Sequence, residues 1–454
     1  MITIEEFGHR LRARQITSAQ ITDECLQRID ADNPRLNAFI RVTADEARQQ
    51  ARDADREIAA GHDRGPLHGV PISIKDLLDM RGLPTTAASR VREGHVAARD
   101  ATAIAHLRQA GAVFVGKTNL HEFAFGTTNE DSAFGPARNP HDPSRSPGGS
   151  SGGSAASVAA GMALATIGTD TGGSIRIPAA ACGLVGLKPS LGEVSIEGVV
   201  PLSPTMDHVG PLAQTVADAC LVHHALLGDA RATLPAPMPL HGLRLAIPRR
   251  YFCDLLDVEV RARFDEAIAR LRAAGVHIDE IEIHHTAAIA PVYLHIVLSD
   301  AAAYHASTLD AVSDRYTPNV RIRLEMGRYV LAEDYVRALA GREVLTREID
   351  AALAQHDALV LPTMPIPAPA LGATTVQVGD ATEPVRNVML RLTQPFNVTG
   401  HPAISIPSGR TSSGLPCAMQ LVGCRMQTDA LLKVALACEP QITPESPRSG
   451  NVGG

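Results

Sequence analysis

Leu164-Ala165-Thr166-Ile167 reads as a buried strand, and Gly168-Thr169-Asp170-Thr171-Gly172-Gly173-Ser174 as a Gly-rich loop leading into Ile175-Arg176-Ile177-Pro178. Gly172 and Gly173 carry no Cβ to block a tight turn, so successive backbone N–H groups can point at one spot beside the Ser174 hydroxyl. That is the local chemistry of an oxyanion hole next to its nucleophile. Pro178 suits the first turn of a following helix, and Ser174 sits where the positive end of that helix favours an alkoxide. Strand, loop and helix in this order point to an α/β fold.

Upstream lies a second loop of the same kind, Gly148-Gly149-Ser150-Ser151-Gly152-Gly153, followed by an Ala-rich helix over Ser154 to Ala163. It satisfies the G-x-S-x-G pattern of a nucleophile elbow, which needs an apolar strand running into its serine. Pro140, Pro143 and Pro147 would break such a strand. A flexible linker is the plain alternative, but the helix and strand that follow weigh against it. Further upstream, Val70 to Ile74 is a short apolar strand ending at Lys75-Asp76. A lone lysine there would ordinarily be a surface residue; the two Ser loops change its reading.

Gly111-Ala112-Val113-Phe114-Val115-Gly116-Lys117-Thr118 matches a nucleotide-binding P-loop. A phosphate cradle needs flexible residues between its glycines and a strand before the first. Here Ala112 to Val115 are themselves the strand and a helix over Thr102 to Ala110 precedes Gly111, so ATP binding is rejected. Strand and helix signals alternate to about residue 280. Residues 3 to 60 read as helices, with Thr3 capping the first and Ser18 the second, whose buried face is Ile21, Cys25, Leu26 and Ile29. Residues 285 to 355 read as mostly helical. Ala403 to Ile406 and Met419 to Val422 read as strands, before a closing helix over Thr428 to Ala437 and a loose tail over 440–454.

The 454 residues carry a net charge of −7, with 45% hydrophobic and 3% aromatic residues, so an aliphatic core is expected and no basic footprint for nucleic acid appears. Seven cysteines without a C-x-x-C pair argue against zinc or a disulfide framework. No secretory signal and no apolar span of ~20 residues is visible, which makes the cytoplasm the expected location and no membrane partner expected. The eighteen histidines include no H-E-x-x-H, and the pairs His223-His224 and His284-His285 point apart on either kind of element. No metal and no cofactor are expected.

The segment Gly149 to Pro189, with Ser150-Ser151-Gly152-Gly153-Ser154 and Gly168 to Arg176, resembles the defining stretch of the amidase signature family, and Ile72-Ser73-Ile74-Lys75-Asp76 resembles its lysine motif. The resemblance implies a large mixed β-sheet flanked by helices on both faces. It implies a helical segment over 1–65 packed on a catalytic domain over 66–439, whose variable pocket region is about 228–395. It implies Ser174 as nucleophile, Ser150 on a cis peptide as the bridging serine, and Lys75 as base. The backbone N–H groups of Thr171, Gly172, Gly173 and Ser174 would hold the oxyanion, while Ser151, Asp170 and Arg176 would shape the loops. A neutral amine can take a serine proton, but Lys75 must then fall roughly 3 units below its ordinary ~10.4, a direction that burial supplies.

The resemblance extends both to stand-alone amidases and to the glutaminase component of tRNA-dependent amidotransferases. In that component, glutamine's amino group is bound by an acid shortly before the run that here reads Asn397-Val398-Thr399-Gly400-His401-Pro402-Ala403-Ile404-Ser405; the matching position is Leu390. Arg342 falls near that component's carboxylate-binding arginine. Phe123, Phe125, Gly126 and Leu390 are expected in the pocket, together with residues from 285 to 395. The expectation is a monomeric or homodimeric hydrolase of neutral or aryl amides, extending to carbamates (urethanes) and esters, with the partner-dependent glutaminase as the alternative.

Overall fold

The computed structural model describes residues 2–443. Nine strands precede a small hairpin: β1 (Phe39–Val42), β2 (Pro71–Lys75), β3 (Val113–Thr118), β4 (Ala165–Asp170), β5 (Val185–Lys188), β6 (His208–Ala213), β7 (Arg244–Pro248), β8 (His277–Ile281) and β9 (Ala358–Pro362). The hairpin is β10 (Thr375–Val378) with β11 (Ala381–Pro384), and β12 (Ala403–Arg410) and β13 (Pro416–Val422) complete the set. Apart from the hairpin, all belong to one eleven-stranded sheet of order β1-β3-β2-β4-β6-β5-β12-β13-β9-β7-β8. β2 is parallel to β3 and β4, β7 is parallel to β8 and β9, and the other pairings are antiparallel. β2, β3, β4, β6, β9 and β13 are buried at every position. Cover on both faces explains why they read as apolar runs without alternation. The fold is the α/β mixed sheet that the family resemblance implies.

The helix Gly152–Ala159 lies directly on the strands that carry the lysine. Ser154 Oγ meets Thr118 Oγ1 at 2.6 Å and Ser157 Oγ meets Ser73 Oγ at 2.8 Å, all four residues being buried. Ser154 and Ser157 are three apart and share a face, and side chains this small let the helix axis approach the sheet closely. Each hydrogen bond contributes about 1 kcal/mol net, and leaving one of these hydroxyls unpaired would cost more.

Several sequence expectations need correction. The first 65 residues are not wholly helical: Asn37 adopts φ 51 at the end of the helix Ser18–Leu36, and Phe39–Val42 turns into the edge strand beside β3. The second helix is capped by Thr17 in a capping box with Gln20, while Ser18 Oγ donates to Gly69 O at 2.7 Å. The closing helix runs Thr428–Ile442, straight through Pro440. Arg270 donates to the carbonyls of Gln441 and Ile442 at 2.7 Å each, and so satisfies two of the carbonyls that the helix's own end leaves without an intrahelical partner. The remainder of the expected tail, 444–454, lies outside the described residues. One helix among the described residues, Ile289–Val312 within the segment Thr286–Arg315, is long and apolar enough to cross a membrane by length and composition, its most apolar 18-residue window having a mean hydropathy of 1.4. Here its face of Tyr293, Ile296, Val297 and Ala301 is buried in the core. The rejected P-loop is strand β3, with Lys117 Nζ 3.0 Å from Asp76 and donating to Leu78 O at 2.8 Å.

Candidate active site

The register of two parallel strands brings the first site residues together. Ile74 of β2 is paired with Ile167 of β4, so Lys75 and the Thr169-Asp170 end of β4 emerge side by side. Carboxyl ends of adjacent strands are where α/β sheets bind ligands. Ser150 arrives from the loop before the helix Gly152–Ala159. Lys75 Nζ lies 2.8 Å from Ser150 Oγ and 2.7 Å from Thr169 Oγ1. The Gly149–Ser150 peptide bond is cis. Ser174 closes the loop after β4 and is 6% exposed. Its carbonyl accepts from the Ser151 N–H at 3.3 Å, and Ser151 Oγ donates to Thr169 O at 3.2 Å, so the two Gly/Ser loops are tied to each other.

Burial sets the charge of the lysine. Lys75 is fully enclosed, and desolvation pulls its ammonium down to about 7 against the opposing pull of Asp170 and Asp207. Asp207 is itself pushed up to about 6 by burial, despite accepting from the Thr171 hydroxyl at 2.5 Å and from the N–H groups of Ser203 and Leu202. Asp170 goes the other way. Burial alone would raise it, but the Arg176 guanidinium 3.1 Å away outweighs burial and holds the carboxyl below its ordinary range. Asp170 also accepts from the N–H of Ile175 at 3.1 Å and of Arg176 at 3.4 Å, which pins the turn after Ser174. Arg176 reaches on to Gln420 at 3.0 Å and Asn397 at 2.7 Å, anchoring the loop to β13 and to the helix Gln394–Val398.

The loop is shaped to present N–H groups. Gly173 has φ 143, and a Cβ there would overlap Thr393 Oγ1. Thr393 Oγ1 donates to Gly172 O at 2.7 Å and so fixes which way that peptide faces. Among the described residues, no protein acceptor takes the N–H of Gly172, Gly173 or Ser174. His208 sits nearby, but Nδ1 lies 3.0 Å from Asp170 O and 2.7 Å from Met206 O, while Nε2 lies 3.1 Å from Lys188 Nζ. Both ring nitrogens are engaged, which leaves Lys75 as the titratable group touching Ser150.

Ser174 opens into a narrow cleft of about 10 Å³ whose walls include Phe125, Gly126, Gly172, Tyr293, Arg386 and Leu390. A larger hollow of about 470 Å³ beside Arg145, Asp257 and Glu259 shares no lining residue with it and gathers no nucleophile. Of the expected pocket residues, Phe125, Gly126 and Leu390 line the cleft. Phe123 does not: its ring packs edge-on against His305 at 4.3 Å and near Tyr316 at 5.5 Å. Arg342 is also elsewhere, donating to Thr205 Oγ1 at 3.3 Å. Sequence reasoning missed Thr169, Asp207, Tyr293, Arg323 and Arg386. Thr169 was inside the quoted loop, where its place one residue before Asp170 could have marked it. The others carry no local signal, because folding alone brings them to the site.

A family model described as Amidase matches residues 20–432. An amidase of Pseudomonas putida is 39% identical over 457 residues, covering 97% of this chain and 96% of that protein. The A component of the glutamyl-tRNA(Gln) amidotransferase of Carboxydothermus hydrogenoformans is 37% identical over 476 residues, covering 96% of each. A solved amidase structure superposes with a TM-score of 0.92 at 37% identity, covering 97% of this chain and 100% of the other.

Proposed function

This chain belongs to the amidase signature family of amide hydrolases, and from that premise we propose that it cleaves amide-type C–N bonds through Ser174, Ser150 and Lys75 by way of an acyl-enzyme. The observation that carries the reading is the fully buried Lys75, drawn down to about 7 and hydrogen-bonded to Ser150 at 2.8 Å beside the Ser174 loop. Neutral Lys75 takes the Ser150 proton as Ser150 takes that of Ser174, and Ser174 Oγ attacks the carbonyl carbon. The N–H groups of Thr171, Gly172, Gly173 and Ser174 stabilise the oxyanion; such donors are worth about 3 to 4 kcal/mol each in comparable sites. The proton returns along the same relay to the leaving nitrogen, the C–N bond breaks, and a water then cleaves the acyl ester by the same steps.

Amides, carbamates and esters all present a carbonyl to this serine, and the cleft and leaving group decide among them. Leu390 packs close to where a Cβ on Gly172 would be, so an amino acid's ammonium group would meet a buried aliphatic side chain. Desolvating that charge without a partner costs several kcal/mol. This supports stand-alone hydrolysis of substrates other than glutamine over the partner-dependent glutaminase reading. The purified single chain, without ATP or tRNA, should turn over butyramide, an anilide or an aryl carbamate with higher kcat/KM than glutamine. A fluorophosphonate adduct should map to Ser174. An adduct on Ser150, or activity that appears only on glutamine with a partner protein, would overturn the assignment.

A further inference from the structure

The wall of the cleft opposite the Ser174 loop carries more positive charge than its protein neighbours neutralise. Arg386 lines the cleft, and Arg323 stands beside it on the helix Pro318–Gly327. The two guanidinium groups flank the Phe125 ring, their centres 6.0 Å and 5.9 Å from its centroid. Among the described residues, no carboxylate lies within 4.0 Å of either. Arg386 Nε is buried and has no acceptor. Arg323 donates through one nitrogen to Phe125 O at 2.6 Å. The nearest acid to influence it, Asp131, is already held by His121 Nε2 at 3.1 Å and Asn319 Nδ2 at 3.1 Å. Burial and then the charge of Arg386 lower Arg323 to about 10, the sign expected of two crowded cations. The Tyr293 hydroxyl beside Gly172 adds a third polar group, with no protein hydrogen-bond partner among the described residues.

We infer that the cleft selects short amides bearing a carboxylate and no ammonium group, the carboxylate being held by Arg386 with Arg323 and the rest of the chain lying along Phe125 and Leu390. An Arg–carboxylate pair is among the strongest polar contacts available, and here it would also relieve two like charges that nothing else pairs. Leu390 leaves no place for an ammonium, which separates this class from free amino acids. The room beside Ser174 is small, about 10 Å³, which favours few heavy atoms between carboxylate and scissile carbonyl. A primary amide of this class plus one water gives the dicarboxylate and ammonium. The turnover part of this inference rests on the Ser174 reading; the binding part does not.

Succinamate and butyramide form a matched pair, in which a methyl replaces the carboxylate. Wild-type enzyme should show kcat/KM about 100-fold higher for succinamate, on the scale of one charged hydrogen-bonded pair gained. Arg386→Met should lower that ratio at least about tenfold, mainly through KM, with Arg386→Lys recovering part of it. Equal kcat/KM for the two amides in wild type, or equal losses on both in Arg386→Met, would overturn the inference. Calorimetry with Ser174→Ala keeps binding separate from chemistry. Succinamate binding at least about tenfold tighter than butyramide upholds the anion site even if the nucleophile is misassigned. Equal binding refutes the site while leaving amide hydrolysis at Ser174 intact.

Discussion

The two walls of the cleft differ in how they are made. On one wall, Lys75, Ser150, Thr169 and Ser174 come from the ends of β2 and β4 and from two short loops that hydrogen-bond to each other. Strand register and backbone hydrogen bonds fix where these groups stand. On the other wall, Tyr293, Arg323, Arg386 and Leu390 come from three helices of the segment 289–390, and they are held by side-chain packing and by contacts with Phe125. In the proposed mechanism the first wall carries out one chemistry on any acyl group that reaches it. By the inference above, the second admits or refuses the acyl group. A change on the first wall should therefore act on kcat for every substrate, and a change on the second on the ratio between substrates.

The sharpest way to break this contrast is Ser174→Ala, which should lower kcat by about 10⁴ or more on every substrate while the fold, read by circular dichroism, is kept. Residual activity above about a hundredth of wild type would remove Ser174 as nucleophile. Lys75→Ala should cost about 10³ to 10⁴. Because Lys75 acts as the neutral amine and burial draws it down to about 7, wild-type kcat/KM should rise with pH through about 7 and level off above it. A rate that falls over that range would mean that the ammonium form is the active one. No single histidine substitution should match the Lys75 loss, since His208 has both ring nitrogens engaged.

Smaller substitutions sharpen the comparison. Gly173→Ala puts a Cβ at φ 143, overlapping Thr393 Oγ1, so the loop must shift. Strain of about 1–3 kcal/mol should appear as a lower melting temperature together with a kcat loss of about 10- to 100-fold, similar for anilide and carbamate. A loss confined to one substrate would place Gly173 on the selective wall instead. Thr169→Val removes a hydroxyl that accepts from the Lys75 ammonium at 2.7 Å. The charged form loses a partner, so the apparent pKa of the rate should move further down, with a kcat loss of about 3- to 10-fold. An upward move would show that Thr169 favours the neutral amine.

Lys75, Ser150, Ser174 and the loop residues Asp170 and Arg176 were legible in the chain because their chemistry is local. Paired glycines permit one turn, prolines forbid one strand, and a lysine that alone would read as a surface residue gains its role from the two Ser loops and the family resemblance. The same locality explains the misses close to that wall. Ser18 was chosen as a cap where Thr17 serves, one residue away, and β1 was hidden because an edge strand of four residues makes almost no pattern. Arg386 was invisible for a different reason. It stands on a six-residue helix after a surface hairpin, and nothing in Val385-Arg386-Asn387-Val388 separates an arginine facing a cleft from one facing water. Phe123 failed the same way: at φ 50 its ring packs on His305 and Tyr316 and does not line the cleft.

The sequence by itself determined the α/β class, the two serine loops, the lysine and the family, because each rests on residues within a few positions of one another or on a long, nearly gapless match. The tertiary structure decided that Lys75 is fully enclosed, that Asp207 and Thr171 meet at 2.5 Å, and that two arginines separated by more than sixty residues share one aromatic ring. Charge at a site is a sum over everything near in space. Desolvation, like-charge crowding and the reach of a long side chain are set by helix packing and not by spacing along the chain.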